Sequence, residues 1–293
     1  MIKNILLINT RSRRGREMKP TIKSTLEEYG VVVDKIIEIN KRTNVKSTLQ
    51  RIKRYAPQLL IVCGGDGTVN NVIGYFHDTP MRLAIIPGGT TNNLARSLEI
   101  PFDVEGAVEA MKKYQPQTID VGIMNNKVVS NVMGIGVSAS IAKNVTNRAK
   151  KRFGRFAYGV VGLVQVFRHK AFNIKIYDLD KEFEVHLRTH QLIIANGRFH
   201  GGKEIVATNS LDNGQLVLFT IGGKSRISLL LDMISYYVKS RDDYSHPLYF
   251  IGRHVKIEID RPERIEIDGE ASTKRVRIVE AKTIKSKMKV YRA

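Results

Sequence analysis

The sequence predicts an α/β domain followed by an all-β domain. Residues 1–122 alternate short apolar strands with helical patterns, whereas beyond about Asp120 most segments alternate polar and apolar residues in steps of two. The first pattern is typical of a parallel sheet covered by helices, and the second of an antiparallel β-sandwich. A chain of 293 residues is long enough for about two domains, each with its own core.

The first domain is predicted to contain four strands and five helices. The strands are NILLI (4–8), VVVDKII (31–37), QLLIVC (58–63) and RLAIIP (82–87), and the helices cover residues 20–29, 45–55, 69–76, 93–98 and 104–114. Ligands of parallel sheets bind beyond the carboxyl ends of the strands. A glycine-rich loop follows each of the last two strands, so we expect both loops at that edge.

The second domain is predicted to be built from hairpins. VGIMNNKVVSNV contains a turn at Asn125–Asn126, and residues 172–196 form paired strands around an Asp-Leu-Asp-Lys turn. GQLVLFTI, HVKIEI, RIEI and RVRIVEA continue the two-residue alternation. Two helices, Arg155–Phe167 and Ile227–Val238, are expected to interrupt these strands.

The composition is that of a globular protein with a strong positive charge. Lys and Arg exceed Asp and Glu by 48 to 28, and the resulting charge of +20 attracts nucleic acid, nucleotides or an anionic membrane. Nine basic and no acidic residues lie between Lys143 and Lys175, and a second basic stretch runs from Lys274 to Arg292. Because aromatic residues are only 7% of the chain and no stacking motif is present, no nucleic-acid partner is expected. The single cysteine and the absence of a long apolar segment predict a cytoplasmic protein.

The first glycine loop lies in IVCGGDGTVNNVI (61–73). Gly64, Gly65 and Gly67 can adopt positive φ and allow backbone N–H groups to approach a ligand. A helix that begins near Thr68 would direct its positive end at the same point, which suits a phosphate. Asp66 would repel that phosphate unless a divalent cation lies between them, so the loop implies a Mg²⁺-nucleotide. The alternative is an acidic turn in which Asp66 caps the next helix.

The second glycine loop lies in AIIPGGTTNNLARSL (84–98). It offers two glycines, two hydroxyls and two amides, which are Gly88, Gly89, Thr90, Thr91, Asn92 and Asn93. Loops on successive strands of one sheet could converge on one site. No P-loop of the Gly-x4-Gly-Lys-Ser/Thr type competes as a nucleotide site.

The GGDGT loop and the PGGTTN loop about twenty residues later resemble the diacylglycerol kinase catalytic-domain family, especially its soluble bacterial lipid kinases. Three later segments agree with that resemblance. TIDVG (118–122) contains Asp120, residues 196–219 resemble the family's glycine-rich segment and metal loop, and IEIDGE (265–270) ends in Glu270. The similarity covers nearly the whole chain in the family's order.

The resemblance implies a two-domain fold with the site in the cleft between the domains. The first domain is expected to be an α/β nucleotide-binding domain similar to those of phosphofructokinase and NAD kinase, and the second a β-sandwich. Because the family's last residues return to the first domain, the implied boundaries are 1–122 plus 283–293 for the α/β domain and 123–282 for the β-sandwich.

The resemblance also implies an ATP- and Mg²⁺-dependent lipid kinase. Asp66 and Asp120 would organise the catalytic Mg²⁺ and water, and Glu270 would accept the proton of a lipid hydroxyl, that of diacylglycerol or a related lipid. The nucleotide would be held by Asn9, Gly64, Gly65, Asp66, Gly67, Thr68, Val69, Asn70, Gly89, Thr90 and Asn92. Such an enzyme would act on an anionic membrane surface from the cytoplasmic side, and an exposed sheet edge could support a homodimer.

Two amides stand where the family has acids. Asn93 takes the place of the last acid in the second loop, and Asn213 that of the aspartate in the structural Mg²⁺ loop, whose ligand set would be Ser210, Asp212, Asn213 and Gln215. An amide binds a hard cation more weakly than a carboxylate does. The rival interpretations are a soluble-substrate kinase similar to NAD kinase and a basic nucleotide-binding protein that has lost catalysis. The sequence does not identify the acceptor.

Overall fold

The computed structural model describes residues 2–144, 164, 168–206, 209–222, 225, 227, 229–230, 232 and 249–293. The chain forms two compact units, Met1–Val121 with Ile284–Ala293 and Gly122–Thr283. Their limits lie one residue from the expected boundaries. Most of the predicted helices at 155–167 and 227–238 lies outside the described residues.

The first unit contains a parallel sheet. Its strands are β1 (Asn4–Asn9), β2 (Lys35–Ile39), β3 (Leu59–Gly64) and β4 (Arg82–Pro87), in the order β2-β1-β3-β4. The last residues of β16 (Glu270–Val290) extend the sheet beyond β4, with Lys289 opposite Arg82 in parallel. Every residue of β3 is buried, as expected of a strand covered on both faces.

Five helices belong to this unit. They are α1 (Arg13–Glu28), α2 (Val45–Tyr55), α3 (Asp66–Phe76), α4 (Asn93–Ser97) and α5 (Val104–Lys113). The alternation of strands and helices is the predicted one. α3 begins within the first glycine loop, two residues before the expected start at Thr68.

Two predicted element starts were wrong. The helix expected to begin at Pro20 begins at Arg13, because Ser12 Oγ accepts a hydrogen bond from the Gly15 N–H at 3.0 Å and caps it there. The strand expected from residue 31 begins at Lys35. Asp34 Oδ2 accepts the backbone N–H groups of Lys3 and Asn4 at 2.7 Å, which holds Asp34 in a bend before the strand.

The second unit is a β-sandwich of antiparallel strand pairs. β5 (Gln117–Met124) leads into it, followed by β6 (Lys127–Val129), β7 (Val132–Gly136), α6 (Val137–Asn144), β8 (Phe172–Asp178), β9 (Phe183–Thr189), β10 (Gln191–Ala195), β11 (Phe199–His200), β12 (Lys203–Glu204), β13 (Leu216–Ile221), β14 (Tyr249–Gly252) and β15 (His254–Ile267). β16 follows β15 across a two-residue turn. The turn predicted at Asn125–Asn126 is confirmed, with φ of 47° and 62°.

The long strand β15 joins different parts of the sandwich. Residues 255–259 pair with β8, and residues 265–267 pair with β7. Between them the register against β16 shifts, from Glu258 to Glu263. Such an irregularity bends a strand, and in sandwiches it marks a corner at which one strand serves both sheets. Among the described residues, no helix combines the length and apolar character needed to cross a membrane.

Candidate active site

The two glycine loops leave the sheet side by side. β3 and β4 pair in parallel, with Gly64 opposite Pro87, so residues 64–70 and 88–93 begin at the same carboxyl edge. We call these two segments the paired loops. Their convergence agrees with the position expected of ligands in a parallel sheet.

The glycines of the paired loops permit contact between two backbones. A Cβ added to Gly89 would lie 2.5 Å from Gly65 Cα, and a Cβ added to Gly65 would lie 2.9 Å from Gly89 Cα. Real Cβ atoms do not approach other atoms so closely, so either side chain would force the loops apart. The positive φ that glycine allows is not used by Gly64, Gly65 or Gly67. Close approach of the two backbones is therefore the physical reason for Gly65 and Gly89.

Asp66 connects the first loop to the second. Its Oδ2 accepts a hydrogen bond from Thr91 Oγ1 at 2.5 Å, and its Oδ1 accepts the backbone N–H of Asn93, also at 2.5 Å. The alternative that Asp66 caps its own helix is wrong, because α3 is capped by Gly65 without a side-chain hydrogen bond. Each carboxylate oxygen has a second lone pair, which leaves Asp66 able to accept from metal-bound water.

Asn92 maintains the shape of the second loop. Its Oδ1 accepts the Gly89 N–H at 2.9 Å, and its Nδ2 donates to the Gly89 carbonyl at 3.0 Å. The residue is buried and has a φ of 47°, a left-handed conformation that asparagine tolerates better than most side chains. Its amide is thus bound to the loop, next to the contact between Gly65 and Gly89.

The remaining predicted nucleotide residues differ in exposure. Asn9 ends β1, and its Nδ2 donates to Thr68 Oγ1 at 2.7 Å, which ties a third strand end to the first loop. Thr68 and Val69 are buried, Gly65 and Asn70 are half-buried, and Gly67 and Thr90 are exposed. The Thr68 and Val69 N–H groups donate to the Gly65 carbonyl, so at the start of α3 the N–H groups of Asp66 and Gly67 are left to face a phosphate, whose usual cradle is a helix N-terminus. Asp120 is buried on β5.

Arg14 is a further candidate, which no sequence motif indicated. Its Nη1 lies 3.4 Å from the Gly89 carbonyl and its Nη2 lies 3.2 Å from that of Phe102, so the exposed guanidinium lies beside the second loop. An arginine in this position can neutralise phosphate charge. The arginine-rich segment NTRSRRGR is the part of the sequence that could have indicated this residue. Within it, Ser12 caps α1 and so orients the helix turn that carries Arg14.

Glu270 lies in the second unit, immediately after a tight turn. Asp268 and Gly269 have φ of 49° and 87°, and Ile267 pairs with Glu270 across them. Two residues with positive φ form the turn type that best suits a hairpin. Glu270 is exposed as the first residue of β16.

Asp268, also missed as an individual residue, fixes this turn. Its carboxylate accepts the backbone N–H groups of Ser130, Asn131 and Val132 at 2.9–3.0 Å and the Ser130 hydroxyl at 3.1 Å. Burial raises the pKa of Asp268, and these four hydrogen bonds, which favour the charged form, oppose that rise. Asp268 therefore positions the start of β16, from which Glu270 projects.

In the predicted metal loop, residues 210–215, the side chains of Ser210 and Asn213 bond to residues close to them in sequence. Asn213 Nδ2 donates to Asn209 Oδ1 at 3.0 Å, Asn213 Oδ1 accepts the Gln215 N–H at 3.1 Å, and Ser210 Oγ donates to Asp212 Oδ1. Ala207 and Thr208, which precede it, lie outside the described residues. Across the described part of the chain, no three His, Cys, Asp or Glu side chains are grouped closely enough to hold a metal ion. A Mg²⁺ at Asp66 would therefore need oxygens from the nucleotide and from water, which is its common mode of binding.

Known proteins match both units. Residues 3–124 match the family described as "Diacylglycerol kinase catalytic domain", and residues 131–283 match "YegS C-terminal NAD kinase beta sandwich-like domain". Proteins of Staphylococcus aureus strains JH9 and Newman, both named "Putative lipid kinase", are 31% identical over 233 residues, which cover 76% of this chain and 74% of each relative.

Solved structures share the fold over the whole chain. One, described as "a putative diacylglycerol kinase from Bacillus anthracis str. Sterne", has a TM-score of 0.78 at 20% identity, and a second from the same strain, described as a diacylglycerol kinase, has a TM-score of 0.73 at 18% identity. Each comparison covers 100% of this chain and 97% of the other. The α/β domain and the β-sandwich are therefore confirmed.

Proposed function

The chain belongs to the diacylglycerol kinase catalytic-domain family, and from that premise we propose that it transfers the γ-phosphate of ATP to a lipid hydroxyl at a membrane surface. The observation that carries the proposal is the pair of hydrogen bonds by which Asp66 joins the two glycine loops. They hold a carboxylate beside a phosphate cradle, an arrangement that is unfavourable unless a cation accompanies the phosphate.

The paired loops are suited to bind the nucleotide phosphates. The N-terminus of α3 provides N–H groups and a positive dipole end, and the exposed hydroxyl of Thr90 lies on the neighbouring loop. Arg14 adds a guanidinium next to Gly89. When bound, Mg²⁺ would neutralise the charge that develops on the transferred phosphoryl group. Asp66 would orient the metal's water, because Thr91 and Asn93 fix both carboxylate oxygens.

We assign proton acceptance to Glu270. In the proposed reaction the lipid hydroxyl oxygen forms a bond to the γ-phosphorus, the bond to the bridging oxygen of ADP breaks, and the hydroxyl proton passes to the Glu270 carboxylate. The type I′-like turn and the hydrogen bonds of Asp268 support this role, because they place a carboxylate on a fixed strand end.

A lipid acceptor is supported by the names of the relatives and by charge. Both S. aureus proteins are named as lipid kinases, and a net charge of +20 favours association with an anionic membrane. We propose diacylglycerol or a lipid of similar hydroxyl chemistry as the acceptor, with the protein bound peripherally at the cytoplasmic face of the membrane.

The test is transfer of labelled γ-phosphate to a panel of acceptors, namely total lipid, sphingosine, polyprenol and NAD. We expect a product that partitions into organic solvent and that Glu270→Gln lowers by about 100-fold or more. Glu109→Gln, which changes an exposed carboxylate on α5, is the matched control and should keep full activity. Phosphorylation of NAD would replace the lipid proposal with a soluble-substrate kinase. Full activity in Glu270→Gln would overturn the role of that residue, and no product with any acceptor would favour a non-catalytic nucleotide-binding protein.

A further inference from the structure

The second unit contains a cavity of about 270 Å³ that is lined mainly by cationic side chains. We call it the arginine pocket, and its cations are Arg168, Lys170, Arg261, Arg264 and Arg275. The first two belong to the basic stretch from Lys143 to Lys175, and Arg275 belongs to the basic stretch near the end of the sequence. The fold thus gathers charges from separate parts of the chain around one concave surface.

The carboxylate that lines the pocket, Glu263, is already paired. Its Oε1 lies 2.7 Å from Arg261 Nε, and its Oε2 lies 3.5 Å from His169 Nε2. Burial raises the pKa of Glu263, but the contacts with His169 and Arg261 outweigh burial and hold that pKa below its usual range. Glu263 therefore stays ionised and is committed to Arg261 and His169.

Three of the cations lack an ion pair among the described residues. Within the part of the chain that the structure describes, no carboxylate forms an ion pair with Arg168, Lys170 or Arg264. Arg275 donates to the carbonyl of Pro262 at 3.4 Å, which leaves its charge unbalanced. The pocket therefore has a marked excess of positive charge, and a concave cationic surface concentrates anions.

Two local features are unfavourable in isolation. Arg264 and Arg275 are direct cross-strand partners on β15 and β16, and like charges in that relation destabilise a sheet. His169 is more than nine-tenths buried, and its Nδ1 has no hydrogen-bond partner among the described residues. An unpaired buried polar atom also costs stability. An anion in the pocket would offset the repulsion between the two arginines and could accept a hydrogen bond from the histidine ring, which lines the cavity.

We propose that the arginine pocket binds a phosphate group. Arginine guanidinium groups present paired N–H donors that match phosphate oxygens, and several arginines around one cavity can bind several oxygens of the same phosphate. The phosphate could belong to an anionic lipid headgroup or to a free phosphate ester, and both sources offer the same oxygens to the pocket.

This phosphate is separate from the one transferred in the proposed reaction. Glu270 pairs with Ile267 and Arg275 pairs with Arg264, three residues apart on β15, which corresponds to about 10 Å along that strand. The pocket also consists entirely of residues of the second unit, so the inference does not depend on the proposed kinase activity.

The test compares two double variants of the full chain. Arg264→Gln with Arg275→Gln removes the cross-strand pair, and Lys46→Gln with Arg51→Gln removes two exposed charges from α2. Both variants lose the same net charge. The first relieves a like-charge contact, so its Tm should equal or exceed that of the wild type, which separates loss of binding from loss of folding.

Two binding measurements distinguish the sources. The first is calorimetric titration with inorganic phosphate, and the second is sedimentation with vesicles of phosphatidylglycerol or of phosphatidylcholine. If only the Arg264→Gln, Arg275→Gln variant loses affinity for inorganic phosphate, by tenfold or more, the pocket binds a free phosphate ester. If that variant instead loses affinity only for phosphatidylglycerol vesicles, to a similar degree, the pocket binds a lipid headgroup. Equal losses in both variants would show that net charge alone attracts anions, and no loss in the arginine variant would also overturn the proposal.

Discussion

The paired loops and the 210–215 loop both carry glycine, amide and acidic residues, yet they use them differently. In the paired loops the polar groups bond from one segment to the other, as Asp66 does to Thr91 and Asn93. In the 210–215 loop the hydrogen bonds of Ser210 and Asn213 lie within the segment or reach the adjacent Asn209. The first arrangement fixes two backbones at one edge of the sheet, whereas the second fixes the shape of a single loop.

This difference shows that a motif's residue types do not determine where its side chains bond. Asn213 donates to Asn209, whose own Nδ2 donates to the Asn196 carbonyl at 3.0 Å. Asn209 therefore offers only its oxygen, and residue 213 must be a donor. Asn213, which stands where the family has an acid, therefore fits its surroundings as a donor. Asp66 must accept hydrogen bonds from Thr91 and Asn93, and the sequence alone does not show these partners.

The largest effect is expected from Gly89→Ala. The added Cβ would lie 2.5 Å from Gly65 Cα, so the paired loops would separate. We expect a loss of about 1–3 kcal/mol in the free energy of unfolding. Separated loops would no longer form one phosphate cradle, so ATP binding should also weaken, by about 100-fold. Equilibrium unfolding and nucleotide titration measure the two effects.

Gly74→Ala is the control for that substitution. Gly74 lies within α3, and an added Cβ would meet nothing within 4 Å. Alanine is the better helix former, so stability should rise by about 0.5–1 kcal/mol with unchanged ATP binding. If Gly89→Ala behaved in the same way, the close contact between the loops would not matter.

The next largest effect is expected from Asp66→Asn. The amide can keep both contacts, with its oxygen toward the Asn93 N–H and its nitrogen toward the Thr91 hydroxyl, so the Tm should change little. The negative charge is lost, and activity should fall about 10–100-fold, as is typical when a residue that orients a metal's ligands is changed. Steady-state rates over a range of Mg²⁺ concentrations measure this. Asp103→Asn, which keeps the cap of α5, should be fully active, and equal activity in both variants would contradict the metal role.

A smaller effect, on stability alone, is expected from Asn213→Asp. The new carboxylate would face Asn209 Oδ1 without a donor between them, so in EDTA the chain should lose about 1–3 kcal/mol of stability. Mg²⁺ should restore the Tm of this variant, because it would bind the folded loop. The wild type, titrated in parallel, should show no such recovery. Equal Tm values with and without Mg²⁺ in the variant would exclude a latent metal site here.

The smallest effect is expected from Thr91→Val. It removes one of the two hydrogen bonds of Asp66 and should cost about 0.5–1.5 kcal/mol in unfolding free energy. Thr90→Val is the control for stability, because Thr90 is exposed and makes no hydrogen bond through its hydroxyl among the described contacts. Equal Tm values for the two variants would mean that the bridge adds nothing to stability.

The fold was predictable where local signals agreed. α2 occupies residues 45–55 as predicted, since Asn44 caps its start at 3.1 Å and Ala56 ends it in a left-handed conformation. The start of β2 was missed because it depends on Asp34, which bonds to Lys3 and Asn4, about thirty residues away in sequence. A hydrogen bond between residues so far apart in sequence does not change the local pattern of polar and apolar residues.

The candidate site was predictable in position but not in bonding. Strand–loop–helix order placed Gly65 and Gly89 at one edge of the sheet, but their close contact depends on the register of β3 and β4. Likewise, the Asp-Gly-Glu segment drew attention to Glu270, while the partners of Asp268 belong to residues 130–132, more than a hundred positions earlier.

The return of β16 to β4 affects the order in which the chain can fold during synthesis. Residues 284–293 complete the first unit, with Lys289 beside Arg82 and the Ala293 N–H donating to the Leu98 carbonyl at 3.2 Å. Until these residues have been synthesised, β4 remains an edge strand whose apolar residues are exposed, and such an edge is prone to wrong pairing. The unit that is translated first would therefore be finished last.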